Sequence, residues 1–255
     1  MSPILLIAGK ETGELLLDLR GLAWLLAMTA VLSGFALLLV GDTELSLLDN
    51  AQVVYDMVGI VTAVGALLAL VVGLDTIAGE RERGSLVPLL LTPVARDGIL
   101  LGKLGGVAVA WVVMYGLAVP YLWAVGSTGQ NLAAGLLTLA LLGTPVVLGF
   151  GFFGMGLGAR LPMARTGLLI GLIALLLAAS PLVLGPSLRQ SAIGRAFDAV
   201  NPFSAAVNAY DAVIIDSQAI TAQAANLVVT LVWLALALWF ARAGVRRVAR
   251  TSPCG

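Results

Sequence analysis

Two glycine-rich stretches carry spacings that belong to nucleotide chemistry. "GFGFFG" at 149–154 matches G-x-G-x-x-G, and "GILLGK" at 98–103 looks like the tail of a phosphate-binding loop. A dinucleotide fingerprint needs a strand, a tight turn and a helix start with free N–H groups. The first stretch lies inside a long apolar run, where such a strand leaves backbone groups unpaired in lipid. Its expected role is close helix packing, with Gly154 and Gly158 four apart on one face, as are Gly102/Gly106 and Gly167/Gly171. The second stretch has three residues between its glycines where a Walker A motif has four, and Leu104 follows Lys103 where Ser or Thr would hold magnesium. No cofactor is therefore expected in this chain. With no His and a single Cys, Cys254, there is no Cys/His catalysis and no zinc site to build. Met28, Met57, Met114, Met155 and Met163 read as packing, and Asp211 and Asp216 as solvated acids. A non-catalytic chain is the expectation.

The elements that hold these residues are membrane elements. The 255 residues are 60% hydrophobic and 11% charged, with mean hydropathy +1.05. A soluble domain of this size carries about 25% charge. Zero net charge gives no case for a nucleic-acid partner. A bilayer core asks for about 20 apolar residues per crossing helix. Six segments qualify: 22–40, 57–74, 99–125, 132–158, 167–185 and 224–241. If both termini are cytoplasmic, twelve of the fourteen Lys and Arg face the cytoplasm and only Arg189 and Arg195 lie outside, the bias that plasma-membrane proteins follow. Tyr121 and Trp123 fit the outer interface and Trp239 the inner one, while Trp111 and Trp233 fall mid-span and read as packing. The N-terminal residues lack a basic leader and a cleavage site, so 3–20 read as an amphipathic interfacial helix, Lys10, Glu11, Glu14 and Asp18 on one side. Residues 186–223 read as a helical extracytoplasmic insertion broken at Asn201-Pro202. The expected fold is all-α, a single membrane domain.

Residues 79–98 form a loop between the second and third spans. With Lys103 included, the stretch to 103 carries seven of the 28 charged residues, yet 84–95 has none. Gly84 breaks the preceding helix, Ser85 caps a new one, and Pro93 stops it about two turns later. Leu86, Leu89 and Leu90 make its apolar face. Two turns of helix are not stable alone in water, so this one must pack on something. Glu80 and Arg83 hold one arm in the cytoplasm, while Arg96 and Lys103 snorkel to the headgroups.

This pattern resembles the permease subunits of type 2 ABC transporters. Glu80, Gly84, Ser85 and Leu86, then Thr92, Pro93, Val94 and Arg96, then Gly102 and Lys103, follow the family's order. "NPF" at 201–203 resembles a sequence common in the outer insertion. Val87-Pro88 and Ala95 depart from the pattern, which affects docking detail and not topology. The resemblance implies a coupling helix in which Gly84, Ser85, Leu86, Leu89, Leu90, Thr92 and Pro93 dock on a cytosolic ABC ATPase subunit. It implies two ATPase copies that bind ATP and Mg, a second permease copy, and export of a substrate. "GLDTIAGERERGS" is similar to a branch serving the maturation of copper enzymes such as nitrous-oxide reductase. Residues 186–223 offer a place for an outer partner. The alternative is a membrane scaffold or assembly factor that docks a cytosolic partner without transport.

Overall fold

The computed structural model describes residues 8–10, 12–13, 19–41, 50–84, 96–126, 131–180 and 191–251. Every element among them is helical. Helix α1 is Leu19–Gly41, α2 Asn50–Glu82 and α3 Arg96–Gly126. A continuous run follows, made of α4 (Leu132–Thr138), a π-turn (Leu139–Gly143) and α5 (Thr144–Arg160). Then come α6 (Ala164–Ala179), α7 (Ala192–Val200), α8 (Pro202–Tyr210), a second π-turn (Asp211–Ile215), a 3-10 turn (Ile220–Gln223) and α9 (Ala224–Thr251).

Among the described residues, five stretches are long and apolar enough to cross a membrane: Gly21–Leu39, Ala51–Glu82, Gly98–Gly126, Leu132–Arg160 and Ile220–Arg247. The fifth expected span, 167–185, appears as α6, whose 16 residues reach about 24 Å, short of a bilayer core of about 30 Å. Residues 181–190 lie outside the described residues, as do most of the expected interfacial helix at 3–20.

Helix α2 is the centre of the bundle, buried over most of its length and packed chiefly on α5. Their backbones meet without side chains between them. A Cβ on Gly73 would lie 1.9 Å from the Gly151 carbonyl oxygen, and one on Gly154 would lie 2.2 Å from the Leu70 oxygen. The dinucleotide-like glycines are thus packing glycines, as their setting in an apolar run requires. Along α5 and α9, Phe150 and Trp233 lie 5.0 Å apart and Phe153 and Phe240 5.4 Å apart between ring centroids. Trp111 is buried and its Nε1 donates to Thr144 Oγ1 at 2.9 Å, a packing role. By contrast α1 buries only a narrow stripe, Gly21, Met28, Leu32 and Leu39, while Leu22, Leu26, Val31, Leu37 and Leu38 are exposed. Exposed apolar faces of this extent suit lipid, not water.

Candidate functional site

The four charges that close α2 each reach a different place. Helix α2 runs past the expected end of its span at 74 to Glu82, so Glu80, Arg81 and Glu82 are helical rather than loop residues. The helix then breaks at Gly84, whose φ of +75° is the left-handed conformation that favours glycine at a helix C-terminus. Arg83 sits in that turn and pairs with Asp75 at 3.0 Å, over a surface that Gly79 leaves clear. Both side chains are about half exposed, so this pair is weak and screened.

Glu80 behaves differently. Its carboxylate is buried, with Oε2 2.9 Å from Lys103 Nζ on α3 and Oε1 3.6 Å from Lys10 Nζ. Lys103 is 0% exposed and its ammonium also donates to the Thr76 carbonyl oxygen at 2.7 Å. The expectation that Lys103 snorkels to the headgroups is corrected. Two turns inside α3, its side chain points at α2 and meets a carboxylate there, which costs less than reaching out alone through an apolar layer.

Arg81 and Glu82, which sequence reasoning passed over, bind the α5–α6 connection. Arg81 donates to the carbonyl oxygens of Ala159, at 3.2 Å, and Leu161, giving partners to the end of α5. Glu82 Oε1 accepts from the Ala164 N–H at 3.1 Å, at the start of α6. The only sequence signal for these bonds is the alternation Glu-Arg-Glu-Arg itself, which places successive charges on different faces of one helical turn.

Of the other expected docking residues, Gly84 is exposed at the turn. Ser85, Leu86, Leu89, Leu90, Thr92 and Pro93 lie outside the described residues, and Arg96 opens α3 with its side chain outside them too. The arms on either side of 85–95 are therefore what the structure defines.

The far end of the bundle is closed by burial. Ser191 caps α7 and Asn201 caps α8, its side chain accepting from Phe203 N–H at 2.9 Å, with Pro202 in the first turn. Asn201 Nδ2 also donates to the Ala178 carbonyl oxygen at 2.8 Å. The short helix α6 is thus capped by borrowed side chains at both ends, Glu82 at one and Asn201 at the other. Helix α8 and the π-turn after it fold back among the long helices, with Phe203, Ala206 and Tyr210 of the helix and Ile214 of the turn all at 0% exposure. Tyr210 lies 3.0 Å from Thr62 Oγ1, whose own proton goes to the Val58 carbonyl oxygen at 2.8 Å. Burial pushes the Tyr210 phenol well above its ordinary range, so it stays neutral. The Leu139–Gly143 π-turn faces the same point, where a Cβ on Gly143 would lie 2.8 Å from the Tyr210 oxygen. Widening a helix by one residue disturbs its hydrogen-bond ladder, and Tyr115 donates to the Leu136 carbonyl oxygen there at 2.9 Å. Beside α7, an open cavity of about 310 Å³ is lined by Arg195, Asp198, Asn208 and Asn226 among others. Asp211 and Asp216 are exposed.

A bundle of long apolar helices is what the sequence implied; the charged elbow that pins it, and the folding of α8 into its core, are what the structure adds. The model of the ABC-2 family transporter proteins matches residues 5–246, and the chain belongs to that family of integral membrane proteins. A particular relative is the probable ABC transporter permease protein NosY of Stutzerimonas stutzeri, 33% identical over 130 residues. That match covers 46% of this chain and 45% of the relative, so less than half of the relative's length is aligned.

Proposed function

We propose that the chain is the membrane-spanning subunit of an ATP-driven exporter, with ATP hydrolysed by a separate cytosolic subunit. The observation that carries this reading is the elbow at Glu80–Arg83. Three consecutive charges, Glu80, Arg81 and Glu82, fasten the end of α2 to α3, to the α5–α6 connection and to residues 8–10, immediately before the segment with the docking motif. A push delivered to residues 84–93 would be shared among several helices rather than lost in one. Rigid-body motion of packed helices is how such a push becomes a change of access.

Six spans are the reading of the apolar runs, 167–185 being the fifth, and cytoplasmic termini the reading of the Lys and Arg distribution. Two copies of the chain and two ATPase subunits form the working unit. The mainly apolar interior favours a lipid-like, drug-like or peptide cargo over a bare ion. The cavity beside Arg195 and Asp198 offers a place for an outer partner, and the resemblance carried by "GLDTIAGERERGS" supports a role beside copper-enzyme maturation.

The test is co-purification of the full chain with a Walker-motif ATPase subunit from the same source, followed by ATPase assays in nanodiscs. Binding with altered hydrolysis is expected. A bound subunit whose rate the chain never changes would favour a scaffold instead.

A further inference from the structure

We propose that Glu80 is a positioning residue for the transfer of motion, one carboxylate joining α2, α3 and the N-terminal turn at residues 8–10. The proposal rests on the coupling reading above and names the joint through which it works. The two contacts of Glu80 differ in kind. The Lys103 contact, at 2.9 Å between side chains 1% and 7% exposed, is shielded from water and salt, so α3 is held permanently. The Lys10 contact is longer, 3.6 Å, and the Lys10 side chain is 56% exposed. Exposed pairs of that kind are weak and salt-sensitive, so this contact can be released and remade.

A second observation places the N-terminal turn on the same elbow. A Cβ on Gly105 of α3 would lie 3.3 Å from the Ala8 Cβ, so the two backbones approach closely. Gly105 is two residues beyond Lys103, and Ala8 two before Lys10. The Thr12 hydroxyl donates to the Ala8 carbonyl oxygen at 2.7 Å, which holds the turn in helical form. One carboxylate and one glycine thus seat residues 8–10 across α2 and α3. Glu80 does not touch cargo or nucleotide; it acts by setting how these three elements move relative to each other.

The separation of 3.3 Å is a few tenths of an ångström under the Cβ spacing of natural disulfides, about 3.5–4.5 Å, so a slight opening of the contact admits a reporter disulfide. The experiment uses the full chain with Cys254→Ser, Ala8→Cys and Gly105→Cys in nanodiscs with the ATPase subunit. Mild oxidation should close the pair readily. Adding Lys10→Glu, which sets a like charge against Glu80, should slow closure about fivefold, the order an exposed pair is worth; Lys10→Arg should restore it. Glu80→Gln should slow closure similarly, and Lys10→Glu remains decisive if that variant folds poorly. Closing the disulfide should leave the ATPase subunit bound but lower its hydrolysis rate, with recovery on reduction. Failure to close, closure indifferent to Lys10→Glu, or a rate unchanged by closure would each overturn the proposal. Absence of ATPase binding by the reduced parent is a different failure. It removes the coupling reading and takes the role of Glu80 with it, whatever the cross-link shows.

Discussion

The elbow at Glu80–Arg83 and the insertion at Asn201–Ile215 close the two ends of one bundle by different physics. At the elbow, charged groups reach across to other elements, Glu80 to Lys103 and Lys10, Arg81 and Glu82 to the α5–α6 connection, and Glu80 and Lys103 are too deeply placed to fall back on water. At the insertion, whole apolar side chains fill space between helices, with polar bonds such as Tyr210–Thr62, Asn201–Ala178 and Ser204–Asp198 added among them. A joint of charges has direction, because an exposed partner such as Lys10 can be engaged or released while a buried one such as Lys103 holds. A joint of packed volume has none; it holds or it unfolds. The difference suits an end that receives motion and an end that anchors it.

Variants at the two ends separate these modes, beginning with the largest effect. Lys103→Met leaves Glu80 buried without its close partner and should destabilise the chain by about 3–5 kcal/mol, measured by thermal unfolding in detergent. Adding Glu80→Leu should return much of that loss, since an apolar pair of similar volume needs no counter-charge. At the other end Phe203→Ala, opening a void beside Phe150 (5.6 Å between rings), should cost about 3 kcal/mol, and no second-site charge change should recover it. Asn201→Ala removes the cap of α8 and the partner of the Ala178 carbonyl, for about 1–2 kcal/mol. Arg83→Gln should cost less than about 1 kcal/mol and become silent in high salt. Effects of equal size and equal salt dependence at both ends would remove the distinction.

The contrast also explains what the sequence made legible. Uninterrupted apolar runs disclosed the long helices, because charge cannot sit mid-bilayer unpaired. Asn201-Pro202 disclosed the break between α7 and α8, because a side-chain cap followed by proline starts a helix. The glycines of "GFGFFG" were readable as packing once their surroundings were seen to be apolar. Direction was not legible. Periodicity assigns Lys103 to a face of α3 but does not say that a carboxylate 23 positions earlier lies across from it. The insertion reads as a polar outer loop because small residues alternate with polar ones. Alternation does not reveal that Phe203, Ala206, Tyr210 and Ile214 are covered completely by other helices. Removing 190–220 would therefore strip the core and cannot serve as a clean test of outer partners. The π-turns have no composition signal; each is visible only through the close neighbours it accommodates.

The central claim is that the segment between α2 and α3 seats a cytosolic ATPase. Its most direct test is pull-down of that ATPase by the full chain in nanodiscs, comparing the parent with Leu89→Asp. The account predicts that a charge on the apolar face of 84–93 abolishes capture while membrane insertion and the unfolding temperature stay as in the parent. Undiminished capture by Leu89→Asp would contradict it.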